Sequence, residues 1–149
     1  MAPSESEWKL LALKAKNYST NLYGVKNVKF FMVDGGKLSW HKNALTQLLR
    51  SPVVAENTLQ SPYTKMEAMY WVAKKIGLKP GATANILFEN SVLISFQLAD
   101  LEEFILCVFQ LNTTCDFCLF LFEPDATIVI HESGPGLAFS KVTRQLEFR

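Results

Sequence analysis

Three pairs of strand-like apolar runs, each flanking a short turn, constrain this chain more than any other feature. The paired runs are 28–33 with 37–41, 84–88 with 92–98, and 117–122 with 127–131. Two extended runs joined by a few turn residues form a hairpin, and the strands of a hairpin are antiparallel. The sequence therefore predicts an antiparallel sheet built from hairpins.

The first pair surrounds Asp34, Gly35 and Gly36. Glycine tolerates the positive φ angles that tight hairpin turns require, so we expect 37–41 to pair with 28–33. A Gly-Gly pair can also bring the backbone close to a phosphate. This one lacks the longer glycine pattern and the following Lys-Ser/Thr of a nucleotide-binding loop, which favours the turn.

Amphipathic helices are predicted between the hairpins. Ser4 and Glu7 have the spacing of a capping box, so a first helix should start there. Ser61 as N-cap, Pro62 at the first helical position and Gly77 as the stop delimit the most regular helix. Further helical patterns occupy 44–50, 101–111 and 137–148, although the apolar run 104–109 would also suit a buried strand.

Amphipathic helices must bury their apolar sides, so we expect them to cover at least one face of the sheet. The predicted class is α+β, an antiparallel sheet built from hairpins with amphipathic helices packed on it. With 149 residues, 49% of them hydrophobic, the chain is long enough for one core. We expect a single compact domain over 1–149. A longer chain that contains this domain is also compatible with the sequence.

The sequence indicates an intracellular protein, cytoplasmic or nuclear, with no membrane span. No apolar run approaches the roughly 20 residues of a membrane helix. Glu5 and Glu7 stand where a signal peptide would carry basic residues. Three cysteines are too few, and odd in number, for a disulfide-stabilised extracellular domain.

Cys115 and Cys118 have the spacing of a redox pair. A redox thiolate needs a helix N-terminus, whereas a strand-like run follows Cys118, so we disfavour this chemistry. A zinc site would need further ligands from Cys107, His41 and His131, which lack a recognisable paired spacing. We therefore assign no catalytic, cofactor-binding or metal-binding residues and expect no cofactor.

Charge divides the chain into two parts. Residues 1–80 hold 12 Lys and Arg against 5 Asp and Glu, a net charge of +7, and residues 81–149 hold 3 against 9, a net charge of −6. Such halves can attract each other, or the lysines can simply solvate helix faces. A third interpretation is an anion or single-stranded RNA or DNA face formed by Lys14, Lys16, Lys26, Lys29, Lys37 and Lys42. The aromatic residues interleaved with that cluster are Tyr18, Tyr23, Phe30 and Trp40.

The order of elements resembles that of roadblock-type modules, relatives of the profilin and longin folds. The similarity covers about 4–111: a leading helix, the 30–38 hairpin, the helix at 61–76, and strand-rich 86–109. Modules of that family are non-catalytic dimerisation platforms of motor, small-GTPase and endosomal scaffold complexes, so the resemblance implies such a role. This chain departs from the pattern at 44–60, at the 101–111 helix, and in its third strand pair.

The first functional hypothesis is a non-enzymatic protein–protein interaction module that oligomerises or serves as a subunit of a larger assembly. The high apolar content and the need to cover strand edges support it. We expect the partner surface at an edge strand formed by Phe117, Leu119, Phe120, Leu121 and Phe122. The alternatives are a nucleic-acid-binding domain using the basic half and a small enzyme of unrecognised type.

Overall fold

The apolar runs of the sequence form one antiparallel sheet, seen in a computed structural model that describes residues 4–33, 38–133 and 136–145. Within those residues the helices are α1 (Glu5–Thr20), α2 (Ser39–Arg50), α3 (Lys65–Ile76) and α4 (Leu101–Asn112). The strands are β1 (Val25–Met32), β2 (Thr58–Gln60), β3 (Thr83–Phe88), β4 (Val92–Leu98), β5 (Phe117–Leu121), β6 (Ala126–Ser133) and β7 (Gly136–Thr143). Their order across the sheet is β1-β4-β3-β5-β6-β7-β2. The α+β class is confirmed.

Side chains at the helix starts explain where three of the helices begin. The Ser4 hydroxyl accepts from the Glu7 amide at 3.2 Å, as the sequence predicts. The predicted start of α3 at Ser61 and Pro62 is wrong. Thr64 accepts from the Glu67 amide, and the Glu67 carboxylate accepts from the Thr64 amide, so α3 begins at Lys65. Asp100 caps α4 through the Glu103 amide, and the predicted helix at 101–111 is confirmed.

The predicted hairpin around Asp34 to Gly36 is wrong in its second strand. Residues 39–41 begin α2, and β1 pairs with β4 instead. Leu38, His41, Ala44 and Leu45 recur at helical spacing and turn toward the sheet, so helix formation there buries an apolar side. The predicted helix at 44–50 is the second half of α2. The turn residues themselves, with Lys37, lie outside the described residues.

The predicted last helix over 137–148 is also wrong, because the described part of that segment is β7. Strand β7 pairs with β6 from Gly136 opposite Ser133 to Thr143 opposite Ala126. Leu137, Ala138 and Phe139 are all buried, which suits a strand covered on both faces as well as it suits a helix. The local helical period is overridden by pairing with the neighbouring strand.

The sheet separates two unequal layers. On one side, α1, α3 and α4 pack over the main core; we call this the three-helix face. In β4, Val92, Ile94, Phe96 and Leu98 point to that face, and Leu93 points to the opposite one. On the opposite side, α2 packs over β6 and β7; we call this the α2 face. Over β3 and β4, the described cover on this face is a small apolar cluster in which Leu38 and Leu45, before and within α2, pack with Leu87 and Leu93.

The junction between β3 and β5, in the middle of the sheet, has a single ladder pair, Asn85 opposite Phe120. The buried Asn85 side chain donates from Nδ2 to the Phe120 carbonyl oxygen at 2.9 Å. A side-chain hydrogen bond therefore reinforces the seam that joins the β1-β4-β3 half of the sheet to the β5-β6-β7-β2 half. Such a buried bond is costly to leave unmade.

We expect Asn85→Ala to lower the free energy of unfolding by about 1–3 kcal/mol, because a buried carbonyl loses its donor. Urea denaturation followed by circular dichroism measures this. The control is Gln97→Ala, which removes an exposed hydrogen bond to Asn27 and should change stability by less than about 0.5 kcal/mol. Equal effects of the two substitutions would show that Asn85 has no special role in joining the two halves.

Candidate functional site

Strand β1 lies at the end of the sheet and pairs on one side with β4. The Val33 amide donates to the Ser91 carbonyl oxygen at 3.0 Å, which fixes the alternation of the ladder. The N–H and C=O groups of Phe31 therefore point toward β4, and those of Phe30 and Met32 point away from it. Among the described residues, no strand pairs with these outward groups.

The first half of β1 has the features that protect an edge. The register with β4 shifts between Lys26 and Lys29, and Asn27 adopts a positive φ of 54°. Bulges and exposed lysines both oppose unwanted strand pairing. From Lys29 to Met32 the pairing is regular, and Phe31 is 47% exposed. Among the described residues, the second half of the edge thus lacks these protective features.

An apolar groove of about 300 Å³ lies beside this half of β1 on the α2 face. Its floor comes from β4 and β3, and its far wall from the residues at the start of α2 and the end of β5. The lining residues are Phe31, Val33, Leu38, Asn85, Leu93, Ser95 and Phe122. Phe122 is 40% exposed. The exposed aromatic side chains of Phe31 and Phe122 therefore lie in a groove beside β1, an edge with which no described strand pairs.

Buried contacts of His41 hold the far wall of the groove. The His41 Nε2 donates to the Leu121 carbonyl oxygen at 2.9 Å, and it lies 3.7 Å from an Asp125 carboxylate oxygen. The imidazole ring also meets Phe120 and Phe122, with centroids 5.3 and 4.8 Å away. Through these contacts His41 holds α2 and Phe122 against the sheet.

The predicted edge strand at 117–122 is wrong, because β5 lies between β3 and β6 in the interior of the sheet. Leu119, Phe120 and Leu121 are buried by this chain itself, and Phe117 packs on Phe104 and Phe109. A central strand is apolar on both faces for this reason. Of the five predicted interface residues, Phe122 is the one that lines the exposed groove.

The six predicted anion-binding lysines do not share one face. Lys14 and Lys16 are exposed on α1, on the three-helix side, and Lys42 is half-buried on α2, on the opposite side. Lys26 and Lys29 are exposed on the β1 edge between those layers. Lys37 lies outside the described residues. The structure therefore brings a basic pair to the edge rather than a continuous basic surface.

Sequence reasoning missed most of the groove. It assigned 28–33 to a hairpin with 37–41, which hid the fact that β1 is an edge. The available signal is the run Phe30, Phe31 and Met32, apolar on both faces of a strand that begins with exposed lysines. Leu38 and Leu93 carry no comparable signal, because they meet only through the tertiary fold.

Burial keeps two of the cysteines, Cys115 and Cys118, as thiols. Burial, then the charge and hydrogen bond of Glu132, raise the pKa of Cys115 to about 11. Burial alone raises the pKa of Cys118 to about 12. The Cys107 Sγ donates to the Asn21 carbonyl oxygen at 2.7 Å. Residues 4–33, 38–133 and 136–145 contain no cluster of three or more His, Cys, Asp or Glu side chains that could hold a metal ion.

No family model, curated protein or solved structure matches this chain. The roadblock-type resemblance therefore stays a prediction. None of the helices in the described part of the chain has the length and apolar character needed to cross a membrane.

We expect Cys115 and Cys118 to react slowly with iodoacetamide in the native protein. A pKa two units above the ordinary value of 9.0 leaves about a hundredfold less thiolate at pH 8. Mass spectrometry of time points follows the labelling, and the urea-unfolded protein is the control. Labelling of native Cys118 as fast as in urea would contradict its burial.

Proposed function

We propose that this chain is a non-enzymatic protein–protein interaction module and binds its partners at the second half of β1 and the adjoining groove. One observation carries the proposal. A strand edge with which no described strand pairs lies beside an open apolar groove, and Phe31 belongs to both. The partner is another subunit of an assembly or a second copy, and a roadblock-type scaffold is the specific form that the sequence resemblance favours.

Physical considerations support a protein partner. Fully burying a large apolar side chain gains about 1.5–3 kcal/mol, and Phe31, Met32 and Phe122, which are each less than half exposed, can contribute roughly half of that or less apiece. Phe31 lies on the α2 face and Met32 on the opposite one, so a partner that adds a strand reaches both. The Phe30 and Met32 backbone groups supply directional hydrogen bonds to such a partner.

The observations favour a protein over a nucleic acid. Among the four aromatic residues expected to stack on bases, Tyr18 donates to Asn112, and Trp40 lies under the Arg144 guanidinium. Tyr23, at 62% exposure, is the one open to a base. Sequence-tolerant binding of single strands relies on several such platforms.

A photo-crosslinking experiment tests the proposal. p-Benzoylphenylalanine is placed at position 31 or 122, and light of the appropriate wavelength is applied in cells that express the protein. We expect discrete protein adducts from both positions, since both line the groove. Position 70 is the control, because Tyr70 is an aromatic residue of similar exposure, 55%, on α3.

The mass of each adduct identifies the partner class. An adduct of twice the chain mass indicates a second copy, and light scattering at several concentrations should then show self-association. An adduct of another mass indicates a different protein. Equal yields at positions 31 and 70, or no adduct at any position, would refute the proposed surface.

A further inference from the structure

We infer that the β1 edge accepts an extended segment of a partner protein in which an acidic residue follows an apolar residue by two positions. This inference rests on the proposed function and narrows the partner. The segment joins the sheet as an additional antiparallel strand beside β1. Binding by strand addition is a common way to recognise peptides, with backbone hydrogen bonds for affinity and side-chain pockets for specificity.

Backbone geometry provides the docking frame. Phe30 and Met32 each present an outward N–H and C=O, spaced as an antiparallel partner requires. The regular register from Lys29 to Met32 keeps this stretch straight, whereas the shift before Lys29 ends the usable edge. The site therefore accommodates a short strand rather than a long one.

Side chains on the α2 face set the preferred sequence of the guest. The guest residue opposite Phe31 lies next to the groove, so it should be apolar. Lys29 lies two positions before Phe31 on the same face, as their partners Ser95 and Leu93 in β4 show. In an antiparallel guest, the residue two positions after the apolar one lies opposite Lys29, and a carboxylate there is favourable.

Charge around the edge also favours an acidic guest over a second copy. Lys26 and Lys29 are exposed on β1, and α1, which carries the exposed Lys14 and Lys16, packs on β1 and β4. Of the described acids near β1, Asp100 and Glu103 lie beside Gly24, before the strand begins, and Glu89 lies in the β3–β4 turn, two residues before Ser91. In an antiparallel pairing of β1 with its own copy through Phe30 and Met32, Val33 of the copy lies opposite Lys29, so a second copy offers this lysine no carboxylate.

Fluorescence anisotropy with a synthetic peptide tests the inference on the full chain. The probe is fluorescein-labelled Thr-Val-Thr-Leu-Thr-Glu-Thr-Glu, which carries the expected spacing. We expect saturable binding that weakens about tenfold with Lys29→Glu, since an attractive pair becomes a repulsive one. Lys74→Glu is the matched control, an exposed lysine on α3, and should leave binding unchanged.

Three further arms separate strand pairing from simple charge attraction. A peptide N-methylated at the amides that face β1 should not bind, because it cannot donate to Phe30 and Met32. A scrambled peptide of the same composition should bind at least tenfold more weakly. The Phe31→Asp variant should also lose binding, whereas its matched control, Tyr70→Asp, should keep it. The circular dichroism spectrum of each variant should stay that of the native protein.

The outcomes distinguish this inference from the proposed function. A dissociation constant weaker than about 1 mM for the probe, with position-31 crosslinks intact, overturns the acidic guest and leaves the interaction module standing. A position-31 crosslink to a second copy does the same. Equal binding of the N-methylated peptide overturns strand addition. Tighter binding of oligothymidylate than of the peptide, lost with Lys29→Glu, overturns the inference in favour of a nucleic acid.

Discussion

Unequal helix cover is the constraint on which the rest of the structure depends. An antiparallel sheet with two apolar faces needs helices on both, and this chain places α1, α3 and α4 on one face and α2 on the other. Because α2 packs mainly over β6 and β7, its cover of β3 and β4 in the described residues is limited to the small cluster around Leu38 and Leu45. The groove lies at the rim of this cluster, since Val33, Leu38 and Leu93 belong to both.

The seam between β3 and β5 joins the β1-β4-β3 half of the sheet to the β5-β6-β7-β2 half. The ladder there is reduced to the Asn85–Phe120 pair, and the Asn85 amide supplies an additional hydrogen bond. Asn85 is buried, yet it also lines the groove. The same residue thus connects the two halves of the sheet and contributes to the floor of the candidate site, so stability and surface shape are coupled at this point.

The sequence predicted what local patterns determine. The β3–β4 hairpin around Glu89 to Ser91, the β5–β6 pair and α4 were all foreseeable, because turn residues and caps lie next to the apolar runs they delimit. The failures concern non-local pairing. Strand β1 pairs with β4, some sixty residues away, and 137–143 forms a strand because β6 offers a complete partner. Which strand lies at an edge is a property of the assembled sheet. For this reason the local pattern places 117–122 at an edge and 30–32 in a hairpin, whereas the edges of the sheet are β1 and β2.

The bulge and the exposed lysines protect the first half of β1 and not the second, and this difference supports the proposal that the second half is a binding site. A chain that only needed to avoid aggregation could extend the bulge and lysines over the whole edge. Here they stop at Lys29, where the register becomes regular and the groove begins. The protected half also limits the length of any added strand, which disfavours the continuous pairing that leads to fibrils. The proposed partner is accordingly a short strand, because the edge is closed along one half and apolar along the other, and an acidic one, because lysines lie at the boundary.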